Sequence, residues 1–143
     1  MLQNYNKAYF FKIDTTIKKI RNYMQRGLND AAIDLTVDQW VVLDHLSQNR
    51  GISQIELGNI TFKDPPTMTR ILDLLVKKQL VTRLNSSADR RKFTIDITER
   101  GKEVHKKANE IITEVRKQAW SHLDENDYDT LVKIMDTIYS NVE

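Results

Sequence analysis

Apolar positions recur every three or four residues through most of this chain and every second residue in one short stretch. From Phe10 they step through Ile13, Ile17, Ile20 and Met24, with Lys12, Lys18, Lys19 and Arg21 between. That spacing predicts one long helix with a narrow apolar stripe. Gly27 is where this helix is expected to fray, before Asn29 and Asp30. Thr36 caps a second helix bearing Val37, Trp40, Val41, Leu43 and Leu46, and Gly51 breaks the chain after it.

Ser53 with Glu56 three residues on is a capping box, which starts a short helix running through Ile60. Asp64-Pro65-Pro66 follows. A residue before proline is pushed out of the helical region, whereas proline suits the first helical turn. Asp64 therefore caps a further helix to about Lys78, with Met68, Ile71, Leu72 and Leu75 on its inner face. Val81 to Leu84 and Lys92 to Ile97 read as strands, the second alternating Phe93, Ile95 and Ile97 inward. Between them lies the polar tip Asn85-Ser86-Ser87-Ala88-Asp89-Arg90-Arg91. Thr98 and Glu99 open a long helix through Val104, Ala108, Ile111, Ile112, Val115 and Ala119, ending near Trp120 to His122. Asp124 caps a last helix in which Tyr128, Leu131, Met135, Ile138 and Val142 again step by three and four.

A short capped helix, a tight connection and a second helix with a polar N-terminal end form a helix-turn-helix, and a basic-tipped hairpin after it makes a winged version. The fold class is mainly α with a small β-hairpin wing. Thr67, Thr69 and Arg70 face outward from the second helix, with Asp73 and Lys77 further along. Hydroxyls and arginine are the groups that reach phosphates and base edges, and arginine can bridge guanine O6 and N7. At the hairpin tip, Arg90 and Arg91 offer planar cations to a minor groove. Asp89, two residues from Arg91, is read as the carboxylate that restrains it.

Charge sharpens this picture. The chain has 143 residues and a net charge of +2. Residues 63–107 hold twelve Lys/Arg against six Asp/Glu, net +6, while residues 108–143 hold three against eight, net −5. Residues 1–62, with seven against six, are near neutral. A basic middle beside an acidic end suits one polyanion-facing surface. There are no cysteines, which excludes disulfides, thiol redox switching and cysteine-ligated zinc. No apolar run reaches the ~20 residues of a membrane helix, and residues 1–23 do not read as a signal peptide, so a cytoplasmic protein is expected. His45, His105 and His122 have no second His or Cys at metal-ligand spacing, and Asp124 to Asp127 lacks the glycine and closing glutamate of a calcium loop. Neither a cofactor nor an enzyme activity is expected.

The sequence resembles the MarR family of winged-helix transcriptional regulators over nearly its whole length. Leu35-Thr36-Val37-Asp38-Gln39-Trp40-Val41-Val42-Leu43 is similar to the family's leucine-threonine, glutamine-tryptophan helix. Ser53-Gln54-Ile55-Glu56-Leu57 and then Thr67-Met68-Thr69-Arg70 match its helix-turn-helix, Asp89-Arg90-Arg91 its wing motif, and Ile97-Thr98-Glu99-Arg100-Gly101 its exit into the dimer helix. The resemblance implies a single domain, with residues 35–100 as a winged-helix lobe and residues 1–34 and 101–143 as N- and C-terminal dimerisation helices. It implies a homodimer on double-stranded, pseudo-palindromic operator DNA, usually a repressor, released by a small, often aromatic or anionic effector. The candidate DNA-binding residues are Ser53, Gln54, Pro66, Thr67, Thr69, Arg70, Lys77, Asp89, Arg90 and Arg91, with the minor-groove role on Arg91. For an effector pocket, Tyr9, Phe10, Ile13, Trp40 and Leu43 are candidates. A protein-interaction module and a regulator without an effector remain the alternatives. The chain departs from the family at Ser86-Ser87, where Asp-Pro is common, and at Phe62 and Gln79, where glycines are usual. The glycine-favouring backbone expected at Gln79 would strain it mildly.

Overall fold

The computed structural model describes residues 9–85, 88–89 and 92–143. Its elements follow the order α1 (Tyr9–Asp30), α2 (Val37–Gln48), β1 (Ile52–Ser53), α3 (Gln54–Thr61), α4 (Pro65–Lys77), β2 (Val81–Asn85), β3 (Phe93–Ile97), α5 (Glu99–Ala119) and α6 (Glu125–Asn141). The helix starts are set by side chains. Thr36 and Gln39 form a reciprocal capping box on α2, as Asp124 and Asp127 do on α6. Ser53 Oγ accepts from the Glu56 N–H at 3.1 Å, Asp64 Oδ1 from the Thr67 N–H at 2.8 Å, and Thr98 Oγ1 from the Gly101 N–H at 2.9 Å. At Ser53 only this half of the expected capping box is formed.

One core joins both halves of the chain. Leu43 and Leu46 of α2, Leu57 of α3, Leu72 and Leu75 of α4, Ile95 of β3 and Ile112 of α5 are all fully buried. The outward alternation of β3 follows from the same packing, since Ile95 and Ile97 lie in the core while Asp96 is only half-buried. Two expectations need correction. The helix α1 runs unbroken through Gly27, because that residue is a crossing point: a Cβ there would stand 3.0 Å from Ile111 Cγ2 of α5. The sheet has three strands in the order β1-β3-β2, not a bare hairpin, because Ile52 and Ser53 pair with Ile95 and Thr94. A two-residue strand carries too little alternation to be seen in sequence.

Both glycine-replacing residues adopt left-handed backbone, Phe62 with φ 55° and Gln79 with φ 63°. Such a conformation costs an L-residue roughly 1–2 kcal/mol. At Gln79 it lets α4 end and the chain turn into β2, with the Leu80 N–H bonded to Leu75 O at 3.0 Å. The α5 helix then starts against this bend: the Thr98 N–H donates to Leu80 O at 3.0 Å and Thr98 Oγ1 donates to Gln79 O at 2.8 Å.

By contrast, α6 buries none of its residues, and Tyr128, Leu131, Ile134, Tyr139 and Val142 are exposed. Phe10, Phe11, Ile13 and Ile17 of α1 are exposed as well, so the α1 stripe closes the core only from Ile20 onward, with Met24 and Leu28 buried. Among the described residues, no helix is long and apolar enough to cross a membrane.

Gly101 carries the closest approach. A Cβ there would fall 2.1 Å from the Leu80 carbonyl oxygen and 2.7 Å from Ile97 Cγ1. Since the first of these is backbone, Gly101→Ala is expected to destabilise the fold by about 3 kcal/mol, as overpacking of a rigid site does. Urea unfolding of the variant measures the loss.

Candidate nucleic-acid interface

The presented face begins with how α4 is held. Met68, Ile71, Leu72 and Leu75 are buried on one side, which fixes the helix rotation and leaves Pro66, Thr69, Arg70, Asp73 and Lys77 exposed on the other. Pro65 and Pro66 occupy the first turn, where a missing N–H costs nothing. The Asp64 carboxyl lies below its ordinary range, held there first by the Thr67 backbone N–H, then by the Thr67 side chain, with the Arg70 charge adding to both. Among the described residues Arg70 donates no hydrogen bond, so its guanidinium is available on the exposed face of the second turn of α4.

The first residue of α3 leans on this face. Gln54 Nε2 donates to Thr69 Oγ1 at 3.2 Å, and Gln54 Oε1 is buried with no partner. Ser53, Gln54, Pro66, Thr67, Thr69 and Arg70 are thus brought to one end of the two-helix unit. Ser53 and Gln54 reach it with hydrogen bonds already committed, the hydroxyl oxygen of Ser53 to its cap and the amide of Gln54 to Thr69. Thr67 is half-buried. Lys77 stands apart at the other end of α4. Beside the α3–α4 unit, a groove of about 580 Å³ is lined by Gln54, Asn59, Lys63, Met68, Lys92 and Phe93 among others.

The hairpin formed by β2 and β3 is fastened to α4. Arg83 of β2 donates to Asp73 Oδ1 at 2.8 Å, and its guanidinium lies 5.5 Å from the Phe93 ring centroid. No local pattern marks this pair, since Asp73 and Arg83 lie on different elements. Asp89 is described and its carbonyl accepts the Lys92 N–H at 3.0 Å, whereas Arg90 and Arg91 lie outside the described residues. The expected restraint of Arg91 by Asp89 therefore falls outside them too.

The connection between α3 and α4 is tied to the rest of the molecule by a second set of charges that sequence reading missed. Lys63 Nζ donates to Asp38 Oδ1 at 2.7 Å, and Arg21 Nη2 of α1 donates to the same oxygen. Asp38 sits in the first turn of α2, where the helix dipole also favours a carboxylate. Burial pushes its carboxyl up, but the hydrogen bonds from Lys63 and Arg21 outweigh burial and hold it below the usual value. On the other side, Lys78 Nζ at the end of α4 donates to Asp34 O and Gln39 Oε1, both at 2.9 Å. His105 Nε2 of α5 meets Asp44 Oδ1 of α2 at 2.9 Å, which gives that histidine a structural partner.

The five candidate pocket residues do not form one lining. Trp40 and Leu43 are core, 4% and 0% exposed, with Arg116 stacked 5.4 Å from the Trp40 ring centroid. Tyr9, Phe10 and Ile13 stand exposed on α1. Among the described residues, no three His, Cys, Asp or Glu cluster so as to hold a metal ion.

Comparison with known proteins places these features. A family model described as the MarR family matches residues 35–93, which span α2 through the start of β3. The HTH-type transcriptional regulator SarZ of Staphylococcus aureus strain USA300 is 32% identical over 99 residues, covering 69% of this chain and 63% of that protein. The chain thus matches a little under two thirds of the length of this curated relative. A protein of unknown function from Listeria innocua Clip11262 is 29% identical, with a TM-score of 0.73, covering 99% of this chain and 98% of the other. The transcriptional repressor CouR, solved on a 23-mer DNA duplex, has the same fold, with a TM-score of 0.84 at 21% identity over 97% of each chain.

The Asp38 cluster has a pH signature. A carboxyl lowered in the folded state adds stability that is present above its unfolded pKa and lost as pH falls through the folded value. Its side chain is 40% exposed, so solvent screening limits the contribution to about 1 kcal/mol or less. Thermal melts between about pH 5 and pH 3 should fall less steeply for Asp38→Asn than for the parent chain.

Proposed function

Because the chain belongs to the MarR family, we propose that it is a sequence-specific DNA-binding transcriptional regulator, a homodimeric repressor of a pseudo-palindromic operator in the cytoplasm. The observation that carries this reading is the presentation of α4. Four buried apolar residues set its rotation, and Pro66, Thr69 and Arg70 stand exposed on its N-terminal half beside a basic hairpin. In this reading Arg70 contacts a base edge or phosphate, Thr69 donates or accepts beside it while Gln54 fixes its rotamer, and Ser53, Pro66 and Thr67 shape the approach. Lys77 and Lys92 add backbone contacts. Arg91 takes the minor groove with Asp89 orienting it, as the resemblance of the wing motif implies, and Arg90 adds a second cation beside it. CouR, a repressor solved on DNA, and SarZ, a transcriptional regulator, support the assignment by what they are.

The lobe of residues 35–100 reads DNA, and residues 1–34 and 101–143 join two copies. The exposed apolar faces of α6 and of the first half of α1 favour this division, since a helix that buries nothing in its own chain gains most from a second copy. Release by a small aromatic or anionic effector completes the proposal, on the strength of the family alone.

Selection of bound duplexes from a random pool tests the reading. The expected winner is an inverted repeat with half-sites about 10 bp apart, or a multiple of one turn. No enrichment, with weak binding even at low salt, would instead favour a protein-interaction module. On the winner, Arg70→Ala is expected to cost about 1–3 kcal/mol of affinity and to relax the preference at one base position. An equal loss on every sequence would demote Arg70 to a phosphate contact.

A further inference from the structure

Phe62 has two features that its own lobe does not explain. Its side chain is 78% exposed, and its backbone is left-handed with φ 55°, where glycine would be at ease. The chain nonetheless places an aromatic ring in the turn between α3 and α4. That ring meets Tyr139 near the C-terminal end of α6, edge to face, with centroids 6.5 Å apart. At its other end α6 is tied by a second edge-to-face pair, Trp120 with Tyr128, at 6.0 Å. A helix with no buried residue is therefore pinned at both ends by aromatic contacts, and the far pin sits on the helix-turn-helix.

The next residue makes the same kind of link. Lys63 binds Asp38, which also accepts from Arg21 of α1. Two consecutive turn residues thus reach outside the α3–α4 unit, one to α6 and one to the α1–α2 corner. A glycine at position 62 would give the turn without giving the link.

We propose that Phe62 and Tyr139 form a positioning contact that sets the angle of the DNA-reading helices relative to α6, and so sets the half-site spacing that a dimer of this chain accepts. The inference rests on the DNA-binding reading above and adds to it a determinant of spacing away from the DNA surface. Neither residue need touch a base. Their effect is on whether both reading heads engage at once, which is where avidity is gained or lost.

The test uses duplexes carrying two preferred half-sites with the spacer varied in single base pairs, and a duplex with one half-site. The parent chain is expected to lose about tenfold or more when the spacer is changed by two pairs. Tyr139→Ala and Phe62→Ala should flatten that dependence to about threefold or less while single half-site affinity holds within about twofold. Tyr139→Phe, which keeps the ring, should behave as the parent, and the double alanine variant should be no worse than either single one. Sedimentation monitors association; if Tyr139→Ala loosens the dimer, Phe62→Ala, located on the lobe, carries the test. Unchanged spacer dependence in Phe62→Ala would overturn the proposal, as would an equal loss on the single half-site. Should the parent chain select no duplex, the DNA-binding reading itself fails. Amide exchange over residues 58–67 then decides the contact alone: faster exchange in Tyr139→Ala upholds the link, and unchanged exchange removes it.

Discussion

Three elements meet at Gly101, and the arrangement of the whole molecule follows from how closely they meet. The end of α4, the start of β2 and the first turn of α5 share one small volume, in which the Leu80 carbonyl lies where a Cβ on Gly101 would be. The left-handed Gln79 makes the bend, Leu80 closes it onto Leu75, and Thr98 returns two hydrogen bonds to Gln79 and Leu80. The exposed face of α4 points one way only if the orientation of the helix is fixed, and this joint fixes it from the C-terminal side. Lys78, the residue after α4, adds bonds to Asp34 and Gln39 at the α1–α2 corner. The long helix α5 thereby leaves the winged lobe along a defined line and carries Ala108, Ile112 and Val115 back across α1.

A second joint acts from the other side of α4. The Phe62–Lys63 turn reaches α6 through an aromatic contact and reaches α1 and α2 through the Asp38 carboxylate. Ion pairs this exposed contribute little stability. Their value here lies in geometry, because the groups they join belong to different parts of the chain. Between the two joints, the exposed face of α4 is held by contacts at both of its ends, and the Arg83–Asp73 pair adds the hairpin to the same rigid unit.

Much of this was legible from the residue pattern. Helix starts announced themselves through Thr36, Ser53, Asp64, Thr98 and Asp124, since a cap is a local device that needs only a side chain and the next turn. The buried face of α4 followed from Met68, Ile71, Leu72 and Leu75, and with it the residues left outside. What escaped was non-local. Gly27 reads as a helix breaker until Ile111, on another helix, is known to pack against it. Strand β1 is two residues long and exists only because β3 pairs with it. Asp38, Lys63 and Arg21 are ordinary surface charges in sequence, and only the fold brings them to one oxygen. The candidate pocket residues separate for a related reason: Trp40 and Leu43 share an apolar pattern with Phe10 and Ile13, but the fold puts the first pair in the core and leaves the second on the surface of the chain.

In the complex proposed above, two copies joined through α1 and α6 place two α4 helices in successive major grooves of one duplex. Hydroxyl-radical footprinting of the complex, with the chain-to-duplex ratio measured by native mass, tests this most directly. Two chains per duplex and two equivalent protected windows, centred about one helical turn apart or a multiple of it, are expected of this arrangement. One chain on one window, or binding that protects no defined window, would contradict it.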